Sequence, residues 1–146
     1  MGLTALPATL AQLAERIRPV VEPDERVRFV YLFGSTARGD TQAGSDLDLA
    51  VYLRPTGTLI DEARLHQALS SALDRDDLDV VALNQAPLWL QFRIVGEGTV
   101  LFSRNEQERI AFRERVEKEF LDFRPYYEEY LAATRERARR GALTSG

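Results

Sequence analysis

Apolar residues recur along the chain at two periods, and these periods predict alternating helices and strands. From Leu3 to Val20 they follow each other at steps of three and four, which predicts an amphipathic helix that Pro19 should end. The same period predicts further helices over 59–73, from Pro87 to about Val95, and over 105–140. Because Pro125 falls inside the last run, we expect a kink or two helices there rather than one straight rod.

The strand pattern has a period of two or is continuously apolar. The run VRFVYLF (27–33) predicts a strand that is buried on both sides, and residues 77–84 predict a later one. Between them, residues 46–53 alternate: Leu47, Leu49, Val51 and Leu53 face one way, and Asp46, Asp48, Ala50 and Tyr52 the other. With a short strand in EGTVLFS, this order predicts an α/β or α+β domain with a small mixed sheet flanked by helices. We expect one domain over residues 1–146, with its core at about 25–103 and a helical region at about 105–140.

Composition narrows the classes of function. The chain has 146 residues, no cysteine and a formal net charge of −4, so thiolate chemistry and disulfides are excluded and direct nucleic-acid binding is not expected. The N-terminal segment has no basic region followed by a long apolar run, and no stretch approaches a membrane span. We therefore expect a cytoplasmic protein without a membrane partner.

Two aspartates, Asp46 and Asp48, share one face of the alternating strand. Their Cα atoms should lie about 6.7 Å apart, and two ionised carboxylates near that distance repel by roughly 2 kcal/mol. Either they are solvated groups at the start of a strand, or a hard divalent cation such as Mg²⁺ compensates them. Asp79, in the strand over 77–84, could complete a site for two ions, although Asp77 shares its strand face and is an alternative.

Gly34 and Ser35 follow the first buried strand, where a phosphate could be bound. Glycine allows a phosphate close to the backbone, and Ser35 can donate to it or act as a helix N-cap, which uses the same geometry. The lysine of a Walker loop is absent, so Arg38 is either a phosphate contact or a solvated surface residue.

Gly34-Ser35, ten further residues, the Asp46-x-Asp48 pair and a later Asp79 together resemble the polymerase-β-type nucleotidyltransferase superfamily. In its short length and in the segments GSTARGD and SDLDLAV, the chain resembles the minimal subgroup (MNT) of that superfamily. These are the MntA-like adenylyltransferase antitoxins of HEPN/MNT toxin–antitoxin systems. The resemblance covers about residues 25–103 and implies the polymerase-β-like fold. It implies ATP on Gly34, Ser35 and Arg38, and two Mg²⁺ ions held by Asp46, Asp48 and Asp79 as the catalytic carboxylates.

The same resemblance implies a reaction and a partner. AMP would be transferred from ATP to a tyrosine hydroxyl of a HEPN-domain toxin encoded by a neighbouring gene, in a hetero-oligomer with that toxin. Two alternatives stay open: an antitoxin that neutralises by binding alone, and a nucleotidyltransferase for small molecules of the aminoglycoside type. An aromatic stripe from Phe112 to Tyr130 could be internal packing or a partner surface. Trp89 is expected in the core, and His66 in a structural position.

Overall fold

The computed structural model describes residues 6–34, 47–54 and 59–144, which contain four strands and four α-helices. The helices are α1 (Leu6–Val21), α2 (Leu59–Leu73), α3 (Leu88–Glu97) and α4 (Glu106–Thr144). The strands are β1 (Val27–Phe33), β2 (Leu47–Leu53), β3 (Leu78–Ala82) and β4 (Thr99–Ser103), and a 3₁₀ turn spans Leu83–Gln85. The predicted mixed sheet flanked by helices is confirmed.

The strands form one sheet in the order β3-β2-β1-β4. β1 is antiparallel to both of its neighbours, β2 and β4, whereas β2 and β3 are parallel. The parallel pair is joined through α2, since a parallel connection needs a crossover and a hairpin cannot supply it. This crossover places the start of β3 beside the start of β2.

One side of the sheet, here called the aliphatic face, is covered by α1 and α2. Ile17 from α1 and Leu69 from α2 are fully buried there against Leu47, Leu49 and Val51 of β2. These are the β2 positions that the alternation predicts on a common face. Burial of such side chains contributes roughly 1.5–3 kcal/mol each, so this face supplies much of the stability of the domain.

The other side, here called the aromatic face, is covered by α3 and the first part of α4. Phe29 stacks on Tyr52 at 4.6 Å between ring centroids and lies 5.5 Å from Phe112 of α4. Ile94 of α3 and Val116 of α4 are buried in the same cluster. Ala50 and Tyr52 belong to this face, which confirms the predicted alternation for these two residues.

Three local predictions are wrong. Pro19 does not end α1, which continues to Val21, because Ile17 and Val21 are both fully buried and hold the last turn against the sheet. Two separate helices divided at Pro125 are also wrong, because α4 is one helix of 39 residues; a kink at Pro125, the other form of that prediction, stays a prediction. Trp89 is not in the core, because it lies on the outer side of α3 and is 46% exposed.

Candidate active site

Asp48 and Asp79 lie next to each other on two strands. In the parallel pair of β2 and β3 these two residues are direct Cα partners. Neighbouring strands are about 4.8 Å apart, and paired residues of a parallel sheet present their side chains to the same face. The prediction that Asp79 lies on a strand beside Asp48 is therefore confirmed.

Both aspartates lie on the aromatic face, at the end of the sheet that the apolar side chains of α3 and α4 do not cover. On the opposite side of Asp48, β1 contributes Phe33 as its Cα partner. Asp48 is half-buried between Phe33 and Asp79, whereas Asp79 is exposed. One carboxylate is thus held by the sheet, and the other is open to a molecule from solution.

Gly34 ends β1 beside the Asp48 side chain. Its φ is +83°, a conformation that side chains with a Cβ rarely adopt. A Cβ built there would collide with Oδ2 of Asp48 and lie 3.4 Å from Cγ. At Gly34 the chain therefore passes so close to the Asp48 carboxylate that a residue with a Cβ would have to displace it.

Asp77, the alternative to Asp79, is already occupied by a neighbouring arginine. Its carboxylate accepts hydrogen bonds from Nε of Arg75 at 2.8 Å and from a terminal guanidinium nitrogen at 2.6 Å. These hydrogen bonds from Arg75 lower the pKa of the Asp77 carboxyl. Since Asp77 is bound locally and Asp79 is the partner of Asp48, the geometry favours Asp79.

Three predicted site residues, Ser35, Arg38 and Asp46, lie outside the described residues. Within the described ranges, no group of three or more acidic, histidine or cysteine side chains could hold a metal ion. Asp48 and Asp79 supply two of the three predicted ligands. They are hard oxygen donors on adjacent strands with like charge, which is a donor set that suits Mg²⁺. The residues present therefore fit the implied metal.

A cleft next to Gly34 is lined by a positively charged side chain, Arg93, that the sequence analysis did not identify. It has a volume of about 170 Å³ and is lined by Phe33, Gly34 and one side of α3. Arg93 from α3 lies in this lining and forms an exposed ion pair of 3.5 Å with Glu97. Arg93 reaches this cleft because α3 packs against the end of β1. No motif in the sequence indicates that Arg93 lies there.

His66 occupies a structural position, as predicted. Its Nε2 donates a hydrogen bond to the carbonyl oxygen of Leu78 at 3.0 Å. This bond joins α2 to the first residue of β3, immediately before Asp79 in the chain. The role of His66 is therefore structural: it helps to hold β3 where Asp79 meets Asp48.

Comparison with known proteins assigns the family. Residues 15–107 match the family described as polymerase beta, nucleotidyltransferase. The chain belongs to this nucleotidyltransferase family. Both described carboxylates and Gly34 lie inside the matched range. None of the helices in the described part of the chain is long and apolar enough to cross a membrane.

One curated relative has the name of an adenylyltransferase. The chain is 34% identical over 85 residues to the protein adenylyltransferase MntA of Shewanella oneidensis, a match that covers 58% of this chain and 60% of that protein. The match thus spans less than two thirds of the length of this curated relative.

Solved structures of this family share the fold. A chain from a crystal structure of a toxin–antitoxin with AMP-PNP has a TM-score of 0.72 at 26% identity, over 83% of this chain and 97% of that one. A second comes from the complex of a tri-AMPylated Shewanella oneidensis HEPN toxin with an MNT antitoxin. It has a TM-score of 0.65 at 23% identity, over 89% of this chain and 98% of that one. At that identity the second likeness concerns the fold alone.

Proposed function

We propose that this nucleotidyltransferase is a Mg²⁺-dependent protein adenylyltransferase. It transfers AMP from ATP to a tyrosine hydroxyl of a HEPN-type toxin in the cytoplasm and so acts as the antitoxin. The observation that carries the proposal is the direct pairing of Asp48 with Asp79, with Gly34 closed against the Asp48 carboxylate. Such a pair of carboxylates beside a close backbone approach suits phosphoryl chemistry better than a structural role.

The reaction forms one P–O bond and breaks another. The hydroxyl oxygen of the acceptor attacks the α-phosphorus of ATP, and the bond from that phosphorus to the bridging oxygen of pyrophosphate breaks. The hydroxyl proton passes to Asp79, which is the exposed member of the pair. Backbone N–H groups after Gly34 and the Ser35 hydroxyl bind the triphosphate. Mg²⁺ held by Asp46, Asp48 and Asp79 would neutralise part of its negative charge.

The named relatives support the choice of acceptor. One is called a protein adenylyltransferase, and another comes from a crystal structure of a toxin–antitoxin with AMP-PNP. In this chain, the segment after the sheet is a single helix, α4, within the described residues. A small acceptor such as an aminoglycoside would need further walls around it, whereas a protein acceptor brings its own surface.

The test is label transfer from α-labelled ATP to the HEPN protein encoded beside this one. We expect label on the toxin, abolished in the double variant Asp46→Asn, Asp48→Asn and strongly reduced in Asp79→Asn. Asp77→Asn is the matched control, because it removes a neighbouring carboxylate that Arg75 already occupies. It should label the toxin at close to the normal rate.

The same samples separate the alternatives. Intact mass of the toxin should increase by whole adenylyl groups only when the active protein and ATP are both present. Labelling at full rate by the double aspartate variant would overturn the proposal. Neutralisation of the toxin by that variant at equal amounts, without any mass change, would favour an antitoxin that acts by binding alone.

A further inference from the structure

The apolar stripe of α4 continues well beyond the part that packs on the sheet. In the first part, Phe112 and Val116 are buried in the aromatic face, and Phe120 stacks on Phe92 of α3 at 4.0 Å between centroids. From residue 123 onward, no ring of the stripe stacks on another element among the described residues, and Tyr127 and Leu131 are only half-buried. Phe123 and Tyr130 are 46% and 61% exposed. We call the uncovered part the distal stripe: Phe123, Tyr126, Tyr127, Tyr130, Leu131 and Thr134.

The distal stripe occupies one side of the helix. Phe123, Tyr127, Tyr130 and Thr134 follow each other at steps of four, three and four, the spacing with which helices pack side by side. Leu121 is also exposed, but it lies two residues from Phe123 and therefore on roughly the opposite side of the helix. Exposed aromatic residues in a contiguous row are typical of protein interfaces.

Charge divides this half of α4 into two segments of opposite sign. Residues 121–130 carry three acidic side chains and one arginine, whereas residues 131–141 carry four arginines and one glutamate. In an antiparallel pair of identical helices, related by a two-fold axis near Tyr130, each acidic segment would face the arginine-rich segment of the other copy. A parallel arrangement would place like charges together.

We propose that a second copy of this chain covers the distal stripe, in an antiparallel two-fold dimer of the C-terminal halves of α4. The segment from Leu121 to Thr144 would extend over about 36 Å, which is long enough for several layers of side chains. The ion pairs that now hold these charges lie within the helix, such as Arg124–Glu128 at 2.8 Å and Arg140–Glu136 at 3.2 Å. They are largely exposed and weak, so their exchange for contacts between copies costs little.

The dimer is independent of the proposed function. Its evidence is the complementarity of this chain with itself, and it requires neither ATP nor a toxin. The toxin is the competing occupant of the distal stripe, and the experiment below distinguishes the two. Because labelling of the toxin and self-association are measured separately, failure of either leaves the other unaffected.

Sedimentation of the purified protein alone, over residues 1–146, tests the proposal. At micromolar concentration we expect a dimer. Phe123→Ser with Tyr130→Ser should raise the dissociation constant at least about tenfold, while Leu121→Ser, on the opposite side of the helix, should leave it unchanged. Circular dichroism of each variant checks that α4 is still formed.

Charge exchange makes the test specific for the antiparallel arrangement. One variant carries Asp122→Arg and Glu129→Arg, and the other carries Arg135→Glu and Arg140→Glu. Each variant alone should be monomeric, because its two segments now have the same sign, whereas a mixture of the two should form a heterodimer.

A monomeric wild type would overturn the proposal, and so would equal weakening by Leu121→Ser. A monomer that binds the toxin, and loses it through Phe123→Ser with Tyr130→Ser, would assign the stripe to the toxin instead.

Discussion

The two faces of the sheet are built from the same strands but have different contents. On the aliphatic face, Leu47, Leu49 and Val51 are fully buried under α1 and α2. On the aromatic face, packing covers only part of the surface, and the strand that contributes Ala50 and Tyr52 also carries Asp48. The aliphatic face therefore contributes mainly to stability. The aromatic face is less completely packed, and Asp48 and Asp79 lie at its unpacked end.

Strand alternation separates the two tasks at the level of neighbouring residues. Asp48 and Leu49 are adjacent in the chain, yet one meets Asp79 and the other lies in the aliphatic core. A substitution at either position should therefore affect activity or stability, but not both. The following predictions test this separation, beginning with the largest effect.

Asp48→Asn should reduce adenylyl transfer roughly 100- to 1000-fold. The variant lacks one carboxylate for the metal ion and so loses several kcal/mol of charge stabilisation in the transition state. The free energy of unfolding should change by less than about 1 kcal/mol, because the amide is isosteric and the repulsion from Asp79 is relieved. Label transfer and urea unfolding measure the two quantities. A large loss of stability would contradict the separation of the faces.

Leu49→Ala should have the opposite profile. Removal of a fully buried leucine side chain should lower the free energy of unfolding by about 2–5 kcal/mol. The rate of transfer per folded molecule should be nearly unchanged at a temperature where the variant remains folded. Urea unfolding gives the first number, and active-site titration with label gives the second. Loss of rate in a fully folded sample would show that the two faces are coupled.

Gly34→Ala should affect both quantities moderately, because it lies where backbone geometry and the carboxylate meet. A residue with a Cβ at φ +83° costs about 1–2 kcal/mol, and the Cβ would also displace the Asp48 carboxylate. We expect a loss of transfer of about tenfold or more. Gly96→Ala is the control, because a Cβ there meets nothing within 4 Å. That change should leave transfer intact and stabilise α3 slightly.

The smallest effect concerns an ion pair at the start of α4, at the border of the aromatic face. The Arg109 guanidinium binds both Glu106 oxygens at 2.7 Å and lowers the pKa of Glu106 from 4.5 to about 2. Arg109 also donates to the Tyr31 hydroxyl at 3.2 Å. Because the folded-state pKa is depressed, the stabilisation is complete above about 4.5 and is lost as the pH falls towards 2.

Glu106→Gln should therefore lower the free energy of unfolding at pH 6 by a few tenths to about 1 kcal/mol, since the carboxylate is largely exposed and screened. The difference from the wild type should shrink when urea unfolding is repeated near pH 3. Glu114→Gln, a substitution farther along α4 at an exposed position, serves as the control. An equal difference at both pH values would show that Glu106 acts through something other than its charge.

Sequence reasoning reached one half of the candidate site and needed the structure for the other. Period-two alternation placed Asp48 opposite Leu49, because that alternation is a property of a single strand. It could not choose between Asp77 and Asp79, which share a strand face. The register of β2 against β3 made Asp79 the partner of Asp48, and Arg75 engaged Asp77. Register depends on contacts between distant segments, so it has no local signature.

The prolines and Trp89 illustrate the same limit in the fold. Pro19 and Pro125 are local signals against a helix, but packing of Ile17 and Val21 holds α1 together around the first of them. Trp89 lies in an apolar run that predicts burial, yet α3 turns it outward and buries Ile94 instead. Local preferences of about 3 kcal/mol or less are overcome where several buried side chains act together.

The sequence by itself therefore determined the order of the elements, the face of β2 that carries Asp48, and the resemblance to nucleotidyltransferases that the family match bears out. These depend on neighbours in the chain and on a spaced motif. The tertiary structure decided which aspartate meets Asp48, where Arg93 lies, and that the stripe of α4 continues past its cover. These depend on which segments pack together, and the free energy of packing belongs to the whole domain rather than to any one stretch of residues.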